Sequence, residues 1–168
     1  PLSLLARGTV DYSRKGDETY SAHVWISGLS VDEKVYKAFE PETAQVLSDL
    51  RMQGSVDLQI VAERNRGDPI DIEPEVIIGL NGLRLHPKHF PYLLEDARGQ
   101  VVVGRDGWVT FESLTIRHQE ARLHAWGRVG TGPNADAFRA SVGLRNVVLD
   151  DALRVGLKEL APEVVEVL

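Results

Sequence analysis

The chain has 168 residues, 43% of them hydrophobic and 26% charged, with a formal net charge of −6. Those proportions argue against bulk disorder, and the acidic balance weighs against a nucleic-acid surface. Cysteine is absent, which excludes disulfides, thiolate nucleophiles and Cys-based zinc sites.

No run approaches the ~20 apolar residues of a membrane-spanning helix, and Pro1-Leu2-Ser3-Leu4-Leu5 lacks the length and charge of a signal peptide. Gly8 reads as the stop of a short preceding helix, with a strand at Val10 and Tyr12 and a turn at Lys15-Gly16-Asp17. Tyr20, Ala22, Val24 and Ile26 then alternate with Ser21, His23, Trp25 and Ser27, the pattern of a two-faced strand. Spacing across Ser27-Gly28 changes from two to three, which predicts a β-bulge and a bend. Asp32 is a suitable N-cap for a first helical region, broken at Pro41 and ending before Gly54.

Val56, Leu58, Ile60 and Ala62 form the apolar side of the next strand, opposite Ser55, Asp57 and Gln59. Beyond the turn Asn65-Arg66-Gly67-Asp68, a strand carries Val76, Ile78 and Leu80 and bends at Asn81-Gly82, before Leu83 and Leu85. His86 and Pro87 open a predicted second helical region that stops before Gly99. Four strands follow: Val101 and Val103; Val109 and Phe111; Ala121, Leu123, Ala125 and Val129; and Phe138, Ala140, Val142 and Leu144. Arg105-Asp106-Gly107 and Gly130-Thr131-Gly132-Pro133-Asn134 supply turns. A third bend is predicted at Arg145-Asn146, and a third helix after Asp150 with Leu153, Leu157 and Leu160 on one stripe.

These elements repeat. Tyr20, Ala22, Val24, Ile26, Leu29, Val31, Asp32, Glu33, Val35 and Phe39 correspond in spacing and character to Phe138, Ala140, Val142, Leu144, Val147, Leu149, Asp150, Asp151, Leu153 and Leu157. A weaker copy runs from Val76 to Pro87, and Gly-Thr-Val-Asp at 8–11 nearly duplicates Gly-Ser-Val-Asp at 54–57. Such periodicity predicts stacked units sharing one core. The expected fold is α+β and β-rich: a bent antiparallel sheet of repeated strand–bulge–helix units, with about eight strands and three helical regions. Its copies are approximately 8–53, 54–98 and 99–168, and both termini align within a copy, so 1–168 is expected to be one segment of a longer repeat protein.

Gly54-Ser55-Val56-Asp57-Leu58, His89-Phe90-Pro91-Tyr92 running to Gly99-Gln100-Val101, Asp106-Gly107-Trp108-Val109-Thr110-Phe111 continuing to Gly127-Arg128-Val129, and Val148-Leu149-Asp150-Asp151-Ala152-Leu153 resemble AsmA-like proteins. That resemblance implies membership of the repeating β-groove proteins of the Gram-negative cell envelope, with the segment on the periplasmic side. It further implies a non-catalytic role in lipid transport, with a phospholipid or other acyl-chain lipid as ligand. Neighbouring repeats of the same chain would be partners, without nucleic acid or cofactor, and membrane contact would come through segments outside these residues. The implied groove floor is Tyr20, Ala22, Val24, Ile26, Val56, Leu58, Ile60, Val76, Ile78, Leu80, Val101, Val109, Phe111, Leu123, Ala125, Ala140, Val142 and Leu144. The alternative is an apolar face closed as an ordinary core beneath the helices, giving a structural or interaction module.

No catalytic constellation is predicted. His86 and His89 flank Pro87, and His23, His118 and His124 are scattered, without a recognised zinc spacing. Asp32-Glu33 and Asp150-Asp151 suit helix starts. Arg66-Gly67-Asp68 matches an adhesion tripeptide but also an ordinary turn. Trp25 and Trp126 share the polar parity of their strands, which suggests a partner surface, a neighbouring repeat or a membrane interface, with a packed strand edge as an equal alternative.

Overall fold

The computed structural model describes residues 2–11, 18–36, 48–49, 51–68, 74–88, 92–131, 134, 137–148, 150–151 and 155. They form one antiparallel sheet of eight strands in sequence order. The strands are β1 (Ser3–Asp11), β2 (Thr19–Ser30), β3 (Ser55–Arg64), β4 (Glu75–Leu85), β5 (Leu94–Val103), β6 (Trp108–His118), β7 (Ala121–Gly130) and β8 (Phe138–Arg145), with a four-residue helix α1 (Glu33–Tyr36) between β2 and β3.

The architecture is therefore all-antiparallel β, not α+β with three helical regions. Of the first expected helix, α1 is present, with the Asp32 carboxylate accepting the N–H groups of Lys34 and Val35 at 2.9 and 3.2 Å; residues 37–47 lie outside the described residues. The second expected helix is strand from Leu94 onward, since Leu94–Val103 pairs with both β4 and β6; residues 89–91 lie outside the described residues. Its register carries an extra residue. Leu83 and Leu85, two apart, face Ala97 and Leu94, three apart, across a bulge at Asp96, whose φ is 53°. One extra residue thus gives a strand the i, i+3 spacing of a helix. The segment ahead of Gly8 is likewise strand, paired along β2 from Ser3 onward. Leu157 and Leu160 of the third expected helix, and Leu153, lie outside the described residues.

Bulges interrupt the register where the sequence predicts them in β2, between Ile26 and Leu29, and in β4, between Asn81 and Leu83. β6 carries a further one between Phe111 and Leu114. Their left-handed residues, Gly28, Gly82 and Ser113, each precede a leucine: Leu29, Leu83 and Leu114. The expected bulge at Arg145-Asn146 is instead a strand end: β7 and β8 pair without a shift up to Arg145, and Asn146 follows at φ 55°. With no further strand beside it among the described residues, that left-handed residue ends the ladder instead of offsetting it.

Gly54 and Gly99, at φ 130° and 134°, occupy equivalent places beside two of these bulges. A Cβ on Gly54 would stand 2.9 Å from Leu83, and one on Gly99 would stand 2.8 Å from Leu114. Leu83 and Leu114 therefore each lie over a glycine, Gly54 just before β3 and Gly99 within β5, where a side chain would collide and the backbone disfavours an L-residue. The small core sits on this line: Val31, Val56, Leu83 and Ala97 are buried, packed by Leu29, Met52, Leu58, Ile78, Leu80, Leu85 and Ile116. Leu83 is 1% exposed.

Candidate functional site: an apolar sheet face

Strand register places every groove-floor residue named from the sequence on one side of the sheet. One cross-strand row reads Ala6, Val24, Ile60, Val76, Val103, Val109, Val129 and Phe138. The next reads Leu4, Ile26, Leu58, Ile78, Val101, Phe111, Gly127 and Ala140. Both cross all eight strands without a polar side chain.

Shorter rows continue the face. Leu29, Val56 and Leu80 lie beyond Ile26 and Leu58; Leu114, Ala125 and Val142, then Ile116, Leu123 and Leu144, extend it on the other half. Tyr20 and Ala22 continue it past Val24, opposite Val10 and Gly8 of β1 and Arg64 and Ala62 of β3. Ala6, Leu4, Val103, Val129, Phe138 and Leu114 belong to the same face but were not in the groove floor named from the sequence. Alternation would have supplied most of them; Leu114 needed the bulge, signalled by the likeness of Ser113-Leu114-Thr115-Ile116 to Gly28-Leu29-Ser30-Val31 and Gly82-Leu83-Arg84-Leu85.

Most of this face is half-buried, and its edges are open: Leu4, Val10, Phe138, Val142 and Leu144 are exposed. Among the described residues the buried hydrophobic side chains are Val31, Val56, Leu83, Ala97 and Ala125 alone. Among the described residues β1 pairs with β2 only and β8 with β7 only, so these eight strands do not close into a barrel.

Beyond Leu123 and Leu144 the face runs into a recess of about 180 Å³. Tyr92, Leu94, Ile116, Val147 and Val148 line it together with those two leucines and His118. Tyr92 stacks on His118 with ring centroids 4.1 Å apart, and its hydroxyl donates to the Asp150 carboxylate. His118 Nδ1 meets the Leu93 carbonyl at 2.8 Å. These contacts tie the segments before β5 and after β8 to the β6–β7 turn, so the recess has a fixed wall.

The opposite face is mixed. Leu5, Trp25, Gln59, Ile77, Val102, Thr110, Arg128 and Arg139 form one row across it. His23 Nε2 lies 3.1 Å from Glu63 Oε1 and 5.5 Å, ring to ring, from Trp25. Asp57 holds two bulges at once, accepting the Gly28 N–H and the Asn81 amide, each at 2.8 Å. Those hydrogen bonds, the backbone one first, lower its pKa below the ordinary 3.8.

Chemistry has no comparable centre. Among the described residues no three His, Cys, Asp or Glu side chains converge as a metal site. His118 meets a backbone carbonyl, and the histidine that touches a carboxylate is His23; His89 lies outside the described residues. Asp68 of the Arg-Gly-Asp tripeptide closes its own turn, accepting the Asn65 N–H at 2.7 Å.

The fold and site define a class: an open, single-layer antiparallel meander with one continuous apolar face. No family model, curated protein or solved structure matches the chain.

Proposed function

We propose that this sheet handles lipid without catalysing a reaction, its apolar face serving as a groove for acyl chains. The observation that carries this is the pair of apolar rows crossing all eight strands. Each methylene transferred from water to such a surface gains ~0.8 kcal/mol, so a chain can lie along the rows without specific polar contacts. Bulges at Gly28, Gly82 and Ser113 support a trough shape, because repeated bulges curve a sheet. The recess at Leu123 and Leu144 supplies a walled end for a chain terminus. The AsmA-like resemblance points the same way and places the segment in the periplasm of a Gram-negative envelope, with phospholipid as ligand and neighbouring repeats of its own chain as partners.

A second function, a structural module adding strands to a longer sheet, is favoured by the outer sides of β1 and β8, which have no paired strand among the described residues. Open edges are templates for further pairing.

Fluorescent acyl-lipid titration, with native mass spectrometry of the bound species, separates the two. The groove predicts binding that Leu4→Asp combined with Val142→Asp weakens at least tenfold, since two charges then interrupt the face. Both positions are exposed, so folding, followed by circular dichroism, is retained. No binding of any acyl chain by the folded wild type would leave the structural module.

A further inference from the structure

We propose that the outer edge of β8 pairs with the outer edge of β1 from a second copy of this chain, extending the sheet head to tail. The inference rests on the strand-adding reading and gives it a partner and a register. β2, β4 and β6 each carry a left-handed residue followed by a leucine: Gly28-Leu29, Gly82-Leu83 and Ser113-Leu114. At each of these places the register shifts against the strand that comes next, β3, β5 or β7. β8 ends in the same device, since Asn146 stands at φ 55° and Val147 follows it. On its inner side β8 pairs with β7 without a shift. Asn146 thus holds, at an open edge, the backbone turn that elsewhere receives the following strand.

Neither edge carries the usual protection. Natural sheets blunt exposed edges with proline, lysine, bulges or very short strands. β8 has eight residues and β1 nine, with no proline or lysine in either and no register shift along their ladders. On the apolar face Leu4 and Val10 of β1, and Phe138, Val142 and Leu144 of β8, are exposed.

Repetition and charge select β1 as the occupant. Tyr20, Ala22, Val24, Ile26 and Gly28 of β2 correspond to Phe138, Ala140, Val142, Leu144 and Asn146, so the incoming strand takes the place that β3 has beside β2. β1 matches β3 in its relation to the next strand. Leu4 faces Ile26 and Val56 faces Leu80, each partner standing just before the bulge marked by Gly28 or Gly82. With Leu4 in the place of Val56, Ala6 lies opposite Leu144, Gly8 opposite Val142 and Val10 opposite Ala140. The apolar face then runs on into the second copy. The same register sets Asp11 opposite Arg139, as Glu63 of β3 stands opposite Ser21 of β2. Opposite charges facing each other across a ladder stabilise it, whereas a second β8 would bring only Arg139 and Arg145, with no acidic residue in the strand. Each added copy leaves one β1 edge and one β8 edge free, so the assembly stays open-ended.

Sedimentation velocity over a concentration series, with cysteine crosslinking, tests this; the chain has no cysteine of its own. Association should grow past the dimer with concentration. Val10→Cys mixed with Ala140→Cys should give a disulfide-linked dimer under mild oxidation, and neither variant should do so alone. Asp11→Arg and Arg139→Asp should each weaken association roughly fivefold, and the double variant should restore it, with the wild-type circular dichroism spectrum kept throughout. Crosslinking of either cysteine variant with itself would overturn the β8–β1 pairing and leave the strand-adding reading in place. A chain that stays monomeric at every concentration would overturn both.

Discussion

Asp57 on β3 holds the bulge of β2: its Oδ1 accepts the backbone N–H of Gly28 at 2.8 Å, while Oδ2 takes the Asn81 amide from β4 at the same distance. A bulge leaves a backbone N–H out of the ladder, and here a side chain from the next strand satisfies it. The second contact reaches the strand on the other side of β3. One carboxylate thereby registers two bends.

That contact has a pH signature. The folded pKa of Asp57 is lowered, so its contribution to stability is complete above the ordinary value of 3.8 and is lost as pH falls through the lowered value. Asp57→Ala should melt a few degrees below wild type at neutral pH. The gap should close in acid as the wild-type carboxylate protonates. Thermal unfolding of both proteins across the acid range checks the sign.

Gly54→Ala and Gly99→Ala should each destabilise by about 1–3 kcal/mol, combining a strained left-handed backbone with overpacking. The new methyl groups would meet Leu83 and Leu114 at 2.9 and 2.8 Å. Gly67→Ala, in a turn where nothing stands within 4 Å, should cost less despite its own positive φ of 90°. Urea titration of the three variants ranks them.

Leu83→Ala and Leu144→Ala separate core from open face. Leu83 is 1% exposed, and its truncation should cost about 2–5 kcal/mol. Leu144 is 52% exposed, and its truncation should change stability by no more than about 0.5 kcal/mol. The same Leu144 variant should bind acyl chains less well, because it shortens the row leading into the recess. Paired chemical denaturation and lipid titration read both effects.

Arg105 caps the end of β3, where the β3–β4 ladder stops among the described residues. β4 begins at Glu75, opposite Val61, so the end of β3 extends past its partner. The Arg105 guanidinium donates to the carbonyls of Val61 and Glu63 at 3.0 and 3.1 Å. Arg105→Ala should cost about 0.5–1.5 kcal/mol. Hydrogen exchange should quicken at this end of β3, with little change around Val56.

Much of the candidate face is legible in the sequence. Val24, Ile60 and Val76 lie on one face because their strands alternate strictly, and alternation survives whatever the neighbours are. Gly28 and Gly82 mark bulges because the apolar spacing slips beside a glycine. Ser113 marks the same bend less plainly, because no glycine stands there and only the likeness of Ser113-Leu114 to Gly28-Leu29 and Gly82-Leu83 points to it. The helical expectation failed at Leu94–Arg98 because it rested on local start and stop signals alone, Pro87 after His86 and the glycine at Gly99. Hydrogen bonding to β4 and β6 on both sides then overrides local propensity.

By itself the sequence determined the two-faced character of the strands and two of the bends, since a side chain's face follows from backbone period alone. Only the tertiary structure decided which residues stand opposite one another. It joined the apolar runs into rows spanning eight strands, and it set Arg117, Arg122 and Arg145 side by side. Pairing register is a property of two strands and their turn, so no single segment encodes it.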